Sequence, residues 1–173
     1  MDSKMEQIFE LITSSLLNNA RNKKIGEVIK ENEGKHNYPC TNEYDSYTIE
    51  QFIVLYKIKY LNYLAIIDDE TAKTLEKLYL YRIELNRSMG DLAYEDLLKS
   101  NKKNEQKIRS LYEKVNKIDL VLNKYHLLVQ DNDYDISFYT SIENADYSNS
   151  MSSDEIKALI RELKRWKSLF FML

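Results

Sequence analysis

Three glycines and one proline are spread over 173 residues, and that scarcity limits the fold more than any other feature of the chain. A sheet-rich protein needs turn residues at intervals of about eight to twelve positions, which this composition cannot supply. Long helices joined by a few loops need far fewer. The expected fold class is therefore all-α. The length suits one domain, taken as residues 1–173, large enough to bury about 70% of the surface its unfolded form would expose.

The hydrophobic periodicity agrees. Ser3 and Glu6 have the spacing of a capping box, and Met5, Ile8, Phe9, Ile12 and Leu16 follow on one helical face. Ile25, Val28 and Ile29 mark a second helix that stops at Gly34, and residues 35–47, with Pro39 and three tyrosines, read as a loop. Thr48 with Gln51 opens a helix over 48–67 that is apolar on most sides, the signature of a central element. Asp68 and Asp69 break it and cap the next helix, which carries Ala72, Leu75, Leu78, Tyr79, Ile83 and Leu85 and ends near Gly90. Asp91 then caps a short helix through Leu97 and Leu98.

Ile108, Leu111, Val115, Ile118, Leu122, Tyr125 and Val129 step by three and four along a helix over about 101–129. That heptad seam calls for an antiparallel or parallel partner helix. Residues 130–152 are acidic and read as irregular, with Ile136, Phe138, Thr140 and Ile142 alternating as in a short edge strand or an extended docked segment. Ser152 with Glu155 opens a C-terminal helix whose seam is Ile156, Leu159, Leu163, Trp166, Phe170 and Leu173. The expected architecture is a single bundle of five or six helices.

The formal charge of −3 is unevenly spread. Residues 1–98 hold 12 Lys and Arg against 17 Asp and Glu, whereas residues 99–126 hold 8 against 3. Residues 127–155 hold none against 7, and residues 156–173 hold 5 against 1. Two basic stretches thus flank an acidic one.

Little here suits catalysis. Three glycines leave almost no scope for a phosphate-cradling loop, and no P-loop, Gly-x-Ser-x-Gly or His-Glu-x-x-His pattern occurs. Asp131-Asn132-Asp133-Tyr134-Asp135 begins like a calcium-binding EF-hand loop, but Ile136 and Ile142 stand where a glycine and a carboxylate are required. A solvated acidic loop is the expected reading. His36, Cys40 and His126 fall short of a four-ligand zinc site. A nucleophilic Cys40 is the minor alternative, without a characteristic flanking motif. No cofactor, metal or small-molecule substrate is implied. A single cysteine excludes an internal disulfide and fits a reducing, cytoplasmic setting. The longest apolar run, 52–67, is broken by Lys57, Lys59 and Asn62 and is too short to span a bilayer.

What remains is binding. Lys102, Lys103, Lys107 and Arg109, with Lys114 and Lys117, offer one basic face, and Arg161, Lys164, Arg165 and Lys167 offer another. Tyr112 and Trp166 are placed to stack on bases. The apolar C-terminus, including Phe170, Phe171 and Leu173, needs a surface to cover it. The expected function is that of a non-catalytic binding factor on a larger assembly, a ribonucleoprotein such as the ribosome. The alternative is a purely protein-binding helical adaptor or pathogen-encoded regulator. A sequence pI near 5.5 is wrong for a free-standing nucleic-acid binder, and the default reading of the basic stretches is a solvated charged face neutralised by the acidic 127–155 segment.

Overall fold

The structure, a computed structural model, describes residues 1–14, 20–32, 43–130, 133 and 137–172, the last six by backbone alone. Among these residues there are seven helices and no strand: α1 (Ser3–Ser14), α2 (Ile25–Glu31), α3 (Ile49–Tyr63), α4 (Asp69–Leu98), α5 (Glu105–Lys124), α6 (Ser137–Asn144) and α7 (Ser153–Met172). The chain is all-α, as its glycine and proline content requires. It gathers into two compact units, each assembled from two stretches of sequence. Unit 1 comprises Met1–Asp68 and His126–Asp146; unit 2 comprises Asp69–Tyr125 and Tyr147–Leu173.

Unit 1 is built around α3. Its N-terminus carries the expected capping box, in which the Thr48 hydroxyl accepts from Gln51 N at 3.1 Å and Thr48 N donates to the Gln51 side chain at 3.0 Å. Ile49, Phe52 through Ile58, Tyr60 and Leu61 are all buried, because neighbouring elements cover the helix on nearly every side. Phe9 of α1 stacks on Tyr56 with ring centroids 4.7 Å apart and meets Phe138 of α6 at 4.5 Å. Tyr44 packs edge-on against Phe52 and donates its hydroxyl to Asp2 at 3.2 Å. Such ring pairs add about 0.5–1.5 kcal/mol each beyond their buried area. Ala65, at φ 58°, turns the chain away after the helix.

Unit 2 is an antiparallel hairpin of α4 and α5 with α7 laid beside it. Arg82 forks onto the Asp119 carboxylate at 2.5 and 3.2 Å. At the hairpin's closed end Asn104 N donates to Asp96, and the Asn104 side chain donates to Leu92 O. The α5 seam is buried through Leu111, Val115, Ile118, Leu122 and Tyr125. Ile156 and Leu163 of α7 are fully buried in the same unit. The Tyr125 hydroxyl both donates to Met151 O and accepts from Met151 N, fixing the approach to α7. Ser152 and Glu155 then exchange the reciprocal hydrogen bonds of a capping box.

Several local expectations change. α1 is capped by Asp2, whose carboxylate accepts from Lys4 N and Met5 N, rather than by a box on Ser3. α4 runs unbroken for 30 residues through Gly90 instead of ending there. An exposed helical glycine costs only about 1 kcal/mol relative to alanine, too little to open a continuous ladder with good formers on both sides. α5 spans 105–124 rather than 101–129, because His126 enters the left-handed region at φ 55° and stops it. Residues 137–144 form α6, not a strand or an extended segment. Phe138 and Ile142, read as alternating positions, are also four apart, and it is that spacing which buries both. Leu16, Gly34, His36, Pro39 and Cys40 lie outside the described residues.

Candidate interaction surfaces

The division into units sorts the charge. Unit 1 carries 8 Lys and Arg against 15 Asp and Glu, a net of −7; unit 2 carries 17 against 13, a net of +4. The alternating blocks along the sequence are thus the trace of a chain that twice visits an acidic unit and twice a basic one.

On unit 2, Lys102, Lys103, Lys107 and Arg109 are all exposed around the α4–α5 connection and the first turns of α5. Arg109 is in an ion pair with Glu105 at 3.7 Å, one turn back on the same helix, and both ends are well solvated. Such pairs contribute little to stability, so their heads remain available to a partner. Lys114 is different: it is 1% exposed and does not belong to this face. The last turn of α4 presents Tyr94, Leu97 and Leu98 to solvent, spaced three and four apart on one face, with Leu97 at 74% exposure. Exposed Tyr112 lies on the same helix as Arg109, three residues on.

On α7, Arg161, Lys164 and Arg165 are exposed. The Lys164 ammonium sits 5.4 Å from the Tyr81 ring centre, and Lys117 of α5 sits 3.7 Å from the centre of the Trp166 ring. Trp166 is 37% exposed, so one face holds a cation while part of the ring meets solvent. Lys157 pairs with Glu70 of α4, which lowers the Glu70 pKa by hydrogen bonding and charge. The side chains of Lys167, Phe170, Phe171 and Leu173 lie outside the described residues.

Unit 1 holds a buried ion pair that the sequence did not announce. Lys57, on the apolar α3, places its ammonium 2.6 Å from Asp133, with both side chains nearly inaccessible. It also donates to His126 O at 3.3 Å and Leu128 O at 3.2 Å. Burial lowers the Lys57 pKa, and Asp133 offsets part of that effect. A small cavity of about 130 Å³ adjoins the pair, lined also by His126 and Ser141. The three donors of the ammonium match three acceptors, so each N–H has a partner. The arrangement is a clasp that holds His126, Leu128 and Asp133 on α3. The expectation of a solvated acidic loop therefore fails at Asp133. The signal was legible only as one of two lysines, with Lys59, that interrupt a largely apolar helix.

A larger groove of about 660 Å³ opens along α1 and α3. Its floor is Phe9, Tyr56, Tyr60 and Tyr139, and Glu6, Glu10 and exposed Tyr63 stand at its rim. The Tyr56 and Tyr139 hydroxyls are 2.8 Å apart, and the Tyr60 hydroxyl donates to Glu143 at 2.6 Å. Burial raises the pKa of Tyr56 and Tyr60, helped by those hydrogen bonds, so the phenols stay neutral.

Among the described residues, no group of three or more His, Cys, Asp or Glu side chains is placed to hold a metal ion, and no helix is long and apolar enough to cross a membrane. No protein family, curated protein or solved structure matches the chain.

Proposed function

We infer that the protein is a non-catalytic binding factor, docked on a larger cytoplasmic assembly through unit 2 and acting by occupying a functional surface there. The assembly is a ribonucleoprotein such as the ribosome. One observation carries this reading: exposed cations and exposed aromatic and apolar side chains coincide on the hairpin of the positively charged unit. Lys102, Lys103 and Arg109 supply mobile charge suited to phosphates, and Tyr112 supplies a ring face on which a base can stack. The net charge of −3 argues against a free-standing nucleic-acid binder, but it does not prevent one unit from facing RNA while the other faces protein or solvent.

A second reading is favoured by Leu97 and Leu98, whose exposure serves no phosphate contact. It is a helical adaptor or pathogen-encoded regulator that binds protein alone through the end of α4.

Sedimentation of cell extract separates the two. Neutralising Lys102, Lys103, Arg109, Arg161 and Arg165 to glutamine should release the protein from fast-sedimenting material at physiological salt. The wild type should itself be released as salt rises, because phosphate contacts depend steeply on ionic strength. If the glutamine variant still cosediments while Leu97→Ala with Leu98→Ala is released, the ribonucleoprotein reading is wrong and the adaptor takes its place.

A further inference from the structure

The groove on unit 1 combines three features that point to one class of ligand. Its walls are aromatic: Phe9, Tyr56 and Tyr60 are buried, while exposed Tyr63 and half-buried Tyr139 keep ring surface that attracts cations. Its rim carries two carboxylates, Glu6 and Glu10, and among the described residues no basic side chain lines it. The unit around it is net negative by seven charges. Glu6 and Glu10 are both exposed and, at four residues apart on α1, stand about 6 Å from one another along the helix axis. That separation matches two basic side chains at alternate positions of an extended segment, or one turn apart on a helix. The groove is open and follows α1 from Glu6 to Ser14, a shape suited to a chain segment lying along it.

We propose that this groove binds a basic peptide segment of a partner protein, with two lysine or arginine side chains paired to Glu6 and Glu10 and their stems or heads against Tyr63 and Tyr139. Glu6 and Glu10 supply the charge, while exposed Tyr63, stacked on Tyr60 with ring centroids 6.2 Å apart, offers its ring at the rim. The partner's cations need shed only part of their hydration, because the open rim keeps both carboxylates in contact with water. The site lies on the unit opposite in charge to the proposed docking hairpin, and it stands or falls independently of that reading.

The test is titration of the full-length protein with pentalysine, followed by calorimetry and by tyrosine fluorescence. Saturable binding is expected. Glu6→Gln with Glu10→Gln should weaken it at least tenfold, and Tyr63→Ala several-fold, with helical circular dichroism unchanged. A control variant, Glu27→Gln with Glu50→Gln, removes the same charge from the same unit outside the groove and should change affinity less than twofold. Equal losses in both double variants would show attraction to bulk charge and overturn the site. Absence of saturable binding would do the same. Tetramethylammonium that matched pentalysine in affinity and displaced it would reassign the groove to a small amine and overturn the peptide.

Discussion

Raising the pH should unfold this protein steeply, for a reason that lies in unit 1. Tyr44, Tyr56 and Tyr60 are each no more than 8% exposed, and burial lifts all three phenol pKa values well above 10. For Tyr44 the neighbouring Asp2 and Glu43 charges add to the effect. In the unfolded chain these phenols ionise near pH 10. Because the folded pKa is the higher one, the stabilisation is fully present below pH 10 and is lost as the pH rises beyond it. At pH 11 each unfolded phenol has gained about 1.4 kcal/mol by ionising while its folded counterpart stays neutral, so the three together remove about 4 kcal/mol. A typical domain has only about 5–15 kcal/mol to lose. Lys57 opposes the trend, since its folded pKa is lowered and rising pH relieves the cost of burying its charge. It is one group against three, and its effect saturates once the unfolded lysine has itself titrated. Urea denaturation at pH 8, 10 and 11, followed by helical circular dichroism alongside tyrosinate absorbance, measures the slope. Tyr56→Phe and Tyr60→Phe should each flatten it by about one proton. A denaturation midpoint unchanged between pH 8 and 11 would refute the reasoning. So would titration of all 14 tyrosines near pH 10 with the helices intact.

Two further perturbations probe the core. Lys57→Met strands the Asp133 carboxylate and two carbonyls, and should cost about 3–5 kcal/mol by chemical denaturation. Lys57→Met with Asp133→Leu should recover most of it, as replacing both members of a buried pair often does. Phe52→Ala and Leu61→Ala, at positions 0% and 1% exposed, should each cost about 2–5 kcal/mol; near-neutral values for both would remove α3 from the centre of its unit.

How far the sequence reveals this fold can be traced helix by helix. Thr48 with Gln51 and Ser152 with Glu155 mark helix starts accurately, because a capping box is a contact between residues three apart and needs no tertiary context. Gly90 and the seam running on to Val129 mislead about ends, since termination depends on what the neighbouring chain offers. α6 is missed because eight residues carry too few apolar positions to separate a period of two from one of four. The interaction surfaces are half legible. Exposure of Lys107 and Arg109 follows from the α5 seam, whereas burial of Lys114 does not. The groove is invisible in the sequence. Glu6 and Glu10 come near Tyr139 only because α3 holds α6 in place, and no local pattern encodes a meeting across such a separation.

The alternation of the two units along the chain also sets an order of events during synthesis. α3 emerges early with its full circumference of apolar residues, but Tyr139, the hydroxyl partner of Tyr56, follows it by 83 residues. At ordinary elongation rates of about 5–20 residues per second, α3 waits roughly 4–17 seconds for α6 to cover it. Throughout that interval Lys57 lacks its carboxylate partner and the Phe9–Tyr56 stack lacks its third ring. The nascent chain therefore passes through a stage in which its most apolar helix is on display, and a stall anywhere before Asp146 prolongs it. A translation pause placed between α5 and α6 should raise chaperone occupancy and aggregation, whereas one placed after α6 should not.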